Sequence, residues 1–247
     1  MLVSVIMPVF NSIQFLQESI DSILRQSHED FEFIILDDGS TESVWELIQS
    51  YSDDRIVAVR NLENIGLTKS LNICLDKVHG DFVVRHDSDD ISLPTRIEEQ
   101  LKFFEPEVGF VTCWNDILIR REGAWIVKPN ATHRITDEDL LTKYVKKNCG
   151  NDPGTIYSIE AVHRIGYFDE RLYLGQTYNY NRRIQRFFEG RVAPKVLNLK
   201  RSWNGRVCRR AKRLHPEYCK IDWHSLSNQF ASEKLIIRER SSYSWED

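Results

Sequence analysis

Apolar positions in the first half of the chain follow two rhythms in turn. Val3-Ser4-Val5-Ile6-Met7 is rich in β-branched residues and runs into Pro8, which predicts a strand. Asn11 or Ser12 then precedes Phe15, Leu16, Ile20, Ile23 and Leu24 at helical spacing, predicting a capped helix from about Ile13 to Arg25. The alternation continues with a strand at Phe31–Leu36, a helix near Val44–Tyr51, a strand at Ile56–Arg60 and a helix at Leu67–Lys77. A strand at Asp81–Arg85, a helix from Pro94 to about Phe104 and a strand at Gly109–Cys113 follow. Repeated βα units predict an α/β fold: a mainly parallel, twisted sheet with helices on both faces. Past Asn115 the rhythm is irregular. Helices are predicted at Asp137–Lys146, Ile159–Ile165 and Tyr178–Phe188, and beyond Lys195 only short apolar runs remain.

Parallel sheets of this kind bind ligands at the carboxyl ends of their strands. The segments to weigh are therefore Pro8–Asn11, Asp37–Ser40, Asn61–Lys69 and His86–Asp90. Asp87, Asp89 and Asp90 crowd three carboxylates into four residues, and such a group repels itself unless a cation joins it. Oxygen donors suit Mg²⁺ or Mn²⁺, ions that bridge carboxylates and phosphates; the alternative is a surface acid cluster. Asp37-Asp38 forms a second acidic pair after the second strand. Asp38 can accept from a base N–H or a ribose hydroxyl, and the alternative is a turn or N-cap role. The chain has no G-x-G-x-x-G, no G-x-x-x-x-G-K-[ST] and no G-x-S-x-G, which sets aside dinucleotide oxidoreductases, P-loop nucleotidases and α/β hydrolases.

Composition narrows the class further. The chain has 247 residues, 41% hydrophobic and 28% charged, a globular profile able to bury a sizeable core. Its five cysteines are scattered with no CxxC pair, so reduced thiols are expected rather than disulfides or a zinc site. The first residues lack a basic region and reach Pro8 too soon for a signal peptide, and no run is long and apolar enough to span a bilayer. A cytoplasmic protein is expected, free or peripheral on a membrane. From Arg182 to Arg213 twelve Lys or Arg face a single acid, Glu189; this net +11 in a chain of net charge -4 leaves -15 for the remainder. Such a stretch fits either an anionic partner, including an anionic membrane surface through 182–213, or a solvated basic face. No nucleic-acid partner is expected.

Ser4-Val5-Ile6-Met7-Pro8-Val9-Phe10-Asn11, Gln26-Ser27 and Phe31 through Ser40 together resemble family 2 glycosyltransferases of the GT-A fold. Asn64-Ile65-Gly66-Leu67, Gly80-Asp81-Phe82, Asp87-Ser88-Asp89-Asp90-Ile91-Ser92, Pro94, Arg96 and Gln100 continue the resemblance in order, close over about residues 3–115. It implies one GT-A domain over 1–247, with a nucleotide-sugar half at 1–115 and an acceptor side at 116–247. It also implies a nucleotide-diphospho-sugar donor (a UDP-sugar being the commonest), a glycan or lipid-linked acceptor, a Mn²⁺ or Mg²⁺ ion and inverting transfer. By position, Pro8, Val9, Asn11 and Asp38 would lie at the base and ribose. Asn64, Gly66 and Lys69 would lie along the nucleotide, with Asp87, Asp89 and Asp90 at the metal and diphosphate.

The resemblance breaks at the general base. The family's E-D pair falls on Gln176-Thr177, its following acid on Asn179 and its usual Trp on Asn181; Trp203 stands near the place of a frequent histidine. Neither Gln nor Thr acts as a base near neutral pH. Asp152, in Asn151-Asp152-Pro153-Gly154, is the substitute candidate, the alternative being a turn aspartate. Asp169 and Glu170 are expected to be structural. A catalytically silent relative that binds nucleotide or glycan as a partner subunit is the second reading.

Overall fold

The computed structural model describes residues 1–130, 134–142 and 154–203. Its strands are β1 (Val3–Val9), β2 (Phe31–Asp37), β3 (Ile56–Arg60), β4 (Phe82–Arg85), β5 (Ile91–Ser92), β6 (Val108–Arg121), β7 (Ala124–Lys128), β8 (Ile156–Ser158) and β9 (Glu189–Ser202). Its helices are α1 (Ile13–Leu24), α2 (Val44–Gln49), α3 (Leu67–Leu75), α4 (Arg96–Leu101), α5 (Asp137–Thr142), α6 (Ile159–Ile165) and α7 (Gln176–Ile184). The strands form one sheet in the order β3-β2-β1-β4-β8-β6-β9-β5, with β7 paired to β6.

The first four strands are parallel, and their register sets Val9 beside Asp37 and Asp37 beside Arg60. Their carboxyl ends therefore open on one edge. Both faces are covered, which is why these strands read as nearly continuous apolar runs. Val3, Val5, Met7 and Val9 of β1 pack with Phe33, Ile35 and Val84 against the α1 side. Ile6, Ile34, Leu36 and Val83 take the opposite face and pack with Leu71, Leu75, Ile165 and Tyr180 from α3, α6 and α7. The period-two alternation of Cβ directions divides one apolar sequence between two cores.

The second half departs from the sequence expectation in several places. The short strand expected at Gly109–Cys113 is a 14-residue strand. It turns at Glu122-Gly123, both with positive φ, into the hairpin strand β7. The segment beyond Lys195, expected to hold only short apolar runs, belongs to β9, which lies parallel to β6 and antiparallel to β5. Alternation there is masked because polar residues such as Asn198 (0% exposed) and Arg201 (1%) occupy buried positions. β8 is antiparallel to both β4 and β6, so the sheet is parallel on one side and mixed on the other. The helix expected at 178–188 begins at Gln176 and ends at Ile184, and the one at Ile159–Ile165 forms as expected. The part of the helix expected at 143–146 lies outside the described residues. Among the described residues no helix is long and apolar enough to cross a membrane.

Candidate active site

Three loops meet at the carboxyl edge of β1, β2 and β3. Asn11 sits in the left-handed region (φ 47°), and its side-chain oxygen accepts from the Thr41 N–H at 2.8 Å and the Glu42 N–H at 3.3 Å. Its own N–H donates to Ser40 Oγ at 3.1 Å. Asn11 thus fastens the loop after β1 to the loop after β2. The two aspartates divide their work. Asp37, fully buried, accepts from the Ser40 N–H at 2.9 Å and pairs with Arg60 at 3.2 Å, which is the turn role. Asp38 accepts from Asn61 Nδ2 at 2.8 Å and from the N–H groups of Ile65 and Gly66, each at 3.0 Å. A carboxylate offers about four lone-pair sites, so Asp38 keeps capacity for one further donor.

Two glycines make this meeting of loops possible. Gly39 has φ +67°, and a Cβ there would stand 2.4 Å from the Glu63 carbonyl carbon. Only a residue without a side chain allows the β2 loop to lie against 63–64. Gly66 has φ +95° and faces open space where its Cβ would be. It precedes α3, with Asn64 and Lys69 exposed nearby.

The acid cluster follows β4. One carboxylate oxygen from each of Asp87, Asp89 and Asp90 lies within 4.8 Å of the others. Several elements hold the cluster. Arg85, 3% exposed, donates to Asp87 Oδ1 at 3.2 Å. From β9, the Arg201 N–H donates to Asp90 Oδ1 at 2.8 Å and Arg201 Nε to the Asp89 carbonyl at 2.9 Å. Trp203 Nε1 donates to Asp89 Oδ2 at 2.6 Å. The Ser12 hydroxyl at the start of α1, a candidate helix cap in the sequence, meets Ser88 Oγ instead, at 2.8 Å.

Beneath the cluster lies a buried polar layer. His86 is fully buried, and burial with the Arg96 charge beside it drives its imidazole down to about 3, so it is neutral. Arg96 has only donors and lies 3.4 Å from Nδ1, which makes Nδ1 the acceptor and Nε2 the protonated nitrogen. Nε2–H then donates to Ser19 Oγ at 2.9 Å, and Ser19 donates to the Asp87 carbonyl at 3.1 Å. Arg96, 0% exposed, also bonds Gln100 Oε1, Ser92 Oγ and the Arg85 carbonyl at 3.1, 2.8 and 2.9 Å.

Opposite the cluster, α7 starts at Gln176-Thr177, where the sequence lacks the expected carboxylates. Both are buried, and the Thr177 hydroxyl accepts from Arg85. Asn179 is also fully buried, and neither polar atom of its side chain has a hydrogen-bond partner. Asp169 pairs with Arg171 at 2.8 Å and Glu170 accepts from Asn72 at 3.1 Å, as structural residues would. Asp152 lies outside the described residues.

The site joins a hard, all-oxygen donor set to a cluster of loops around the Asp38 carboxylate, on the edge where parallel sheets take ligands. The family model of Glycosyl transferase family 2 matches residues 4–166. The chain belongs to that family. Among family relatives, the putative glycosyltransferase EpsE of Bacillus subtilis is 43% identical over 120 residues, 47% of this chain and 43% of that protein. The uncharacterized glycosyltransferase MJ1057 of Methanocaldococcus jannaschii is 30% identical over 183 residues, 72% of this chain and 63% of that one. The chain thus spans less than two thirds of either relative. Structurally, this family 2 chain has the GT-A fold. Residues 1–349 of S. aureus TarS, solved with UDP-GlcNAc, superpose with a TM-score of 0.66 at 20% identity, over 83% of this chain and 60% of that fragment. The Pyrobaculum calidifontis mannosyltransferase PcManGT, solved with GDP-Man and Mn²⁺, gives 0.65 at 20% identity, over 88% and 63%.

Sequence reasoning missed Arg85 and Arg201. Arg85 had a signal: a cation closing an apolar strand immediately before an acid cluster. Arg201 was hidden within the basic stretch. That stretch is partly internal. Arg183 donates to the carbonyls of Ile165 and Tyr167, and Arg201 is buried with its guanidinium on Glu18 at 2.5 Å, while Lys195 pairs with Glu99 at the surface. Its cations beyond Trp203 lie outside the described residues.

Proposed function

We propose that this chain is a metal-dependent, inverting glycosyltransferase that moves a sugar from a nucleotide-diphospho-sugar, a UDP-sugar first, to a hydroxyl of a glycan or lipid-linked acceptor. The observation that carries the reading is the triad of carboxylate oxygens within 4.8 Å of one another at the strand edge shared with Asp38. The solved neighbours with bound UDP-GlcNAc, or with GDP-Man and Mn²⁺, lend it support. The oxygen-only triad fits a hard divalent cation, and Asp87, Asp89 and Asp90 would hold it. Bound there, Mn²⁺ or Mg²⁺ would neutralise charge on the departing diphosphate as a Lewis acid.

The chain's own groups do the rest. Asp38 spends its remaining lone pair on the base or ribose, with Pro8 and Val9 beside it and Asn64, Gly66 and Lys69 along the nucleotide. Asn11 serves by shaping the loop. Arg85 holds the Asp87 carboxylate in place. Residues 1–115 carry the donor side and 116–247 the acceptor side of one domain.

Asp152 takes the acceptor proton, since Gln176 and Thr177 have no basic group to offer. A general base contributes about 10²- to 10⁴-fold. Asp152→Asn is therefore expected to cut sugar transfer at least about a hundredfold with donor affinity nearly unchanged, the mark of an interaction made mainly in the transition state. Stopped transfer assays over a panel of nucleotide sugars, with and without Mn²⁺, check this. Full activity in Asp152→Asn removes Asp152 from the role.

The neutral, buried Gln176-Thr177 pair supports a second reading, a silent relative that binds nucleotide or glycan as a partner subunit. It predicts tight UDP binding with no turnover of any donor in the same panel.

The protein acts in the cytoplasm, peripherally on an anionic membrane face contacted through the basic stretch 182–213. Each Lys or Arg near such a surface contributes about 1 kcal/mol. Salt-sensitive flotation with acidic liposomes is expected, and equal flotation with neutral liposomes at low salt would exclude the membrane contact.

A further inference from the structure

We propose that Trp203 is a positioning residue for the cation site: its indole N–H holds the Asp89 carboxylate in the orientation that lets it share one ion with Asp87 and Asp90. The inference rests on the cation reading above.

The geometry is specific. Trp203 Nε1 donates to Asp89 Oδ2 at 2.6 Å, a short contact to a carboxylate acceptor. The ring is fixed by Phe15, edge to face at 5.0 Å and 70°. The strand that carries it is fixed two residues earlier, where the Arg201 N–H binds Asp90 Oδ1 and the Arg201 Nε binds the Asp89 carbonyl. The Arg201 guanidinium is in turn clamped between Phe15 at 4.4 Å and Trp125 of the β7 hairpin at 4.7 Å. The indole is therefore presented to Asp89 by a rigid frame.

The chemistry of the donor matters as much as its place. An indole nitrogen donates and has no lone pair for a metal, so Trp203 cannot be a ligand. It is also neutral. A lysine or arginine at this position would satisfy Asp89 equally well but would bring a positive charge that opposes the ion. The indole orients the carboxylate and leaves the negative charge of the triad intact. Hydrogen-bonded partners of metal ligands act in this way, and their loss costs about 10–100-fold in metal affinity.

The test is Mn²⁺ titration, with free Mn²⁺ read by electron paramagnetic resonance, on the full chain without nucleotide. Trp203→Phe keeps an aromatic ring against Phe15 and deletes the N–H; its Mn²⁺ affinity is expected to fall about tenfold. Phe104→Leu removes an aromatic ring packed on Phe82, outside the frame, and keeps the N–H, so its affinity should stay close to wild type. Thermal unfolding without metal checks that both variants are folded. Unchanged or tighter Mn²⁺ binding in Trp203→Phe overturns the assignment, as does an equal loss in both variants. If the wild type and Asp90→Asn both fail to bind Mn²⁺, the cation reading itself falls, a result distinct from either of these.

Discussion

Asp90→Asn is expected to abolish Mn²⁺-dependent UDP binding while leaving the fold in place. The substitution is nearly isosteric and keeps a carbonyl oxygen where Asp90 Oδ1 accepts from the Arg201 N–H at 2.8 Å. What disappears is one negative charge from a fully buried position. Unit charges about 4 Å apart interact by roughly 4 kcal/mol at an effective dielectric of about 20. Even a fraction of that, applied to a divalent ion, exceeds the roughly 2.8 kcal/mol that corresponds to a hundredfold change. Calorimetric titration of UDP with Mn²⁺, against the same titration in EDTA, reads the effect. Equal affinities for variant and wild type in both conditions would contradict the metal assignment. Because the nearby Arg96 charge is not balanced by a directly bonded carboxylate, any gain from removing Asp90 through relief of acid–acid repulsion should be small.

Arg96→Met should carry a large stability loss. Its guanidinium is completely buried, and its bonds go to neutral groups: Gln100 Oε1, Ser92 Oγ, the Arg85 carbonyl and His86 Nδ1. Methionine fills similar space but strands these acceptors, each at about 1–3 kcal/mol. Relief from burying a cation offsets part of that cost. A net loss of about 3 kcal/mol would lower the melting temperature by roughly 6–12 °C in a domain of this size. The same variant should also unseat His86, whose Nε2–H orients the Asp87 carbonyl through Ser19. A melting temperature within a degree or two of wild type would show that the buried layer relaxes around the missing charge.

The first half of the sheet and the loops at its carboxyl edge were legible because their physics is local. Alternating βα patterns, the turn residues Asp37–Ser40 and the Asp87–Asp90 cluster are each complete within a few residues of sequence. β3 and α6 matched the expected bounds. The rest depends on distant partners. β9 could not be read from periodicity, since Asn198 and Arg201 are polar residues placed at interior positions by the Asp89–Asp90 loop more than 100 residues earlier. Basic residues such as Arg183 and Arg201 look solvated in sequence and are buried against carbonyls, aromatic rings and Glu18. The division of labour between Asp37 and Asp38 was likewise open until the register of β2 against β3 put Arg60 beside Asp37. The general base is a different case, since the sequence registers its absence at Gln176-Thr177 without naming a replacement.

The insertion of β9 between β6 and β5 has a consequence for how the protein comes into being. During synthesis the donor loops emerge early, and β1 to β4 can pair as soon as residue 85 is available. The acid loop cannot be locked at that stage, because its clamps at Arg201 and Trp203 follow it by 111–114 residues. Contacts of such long sequence separation are slow to form and leave unpaired edges waiting. A nascent chain halted before residue 189 would carry every donor motif, with β5 and β6 still lacking the strand that joins them. The clamping of the acid loop by Arg201 and Trp203 thus comes late, and a ribosome-bound fragment can carry the loops after β1, β2 and β4 long before the acid cluster is held in its final geometry.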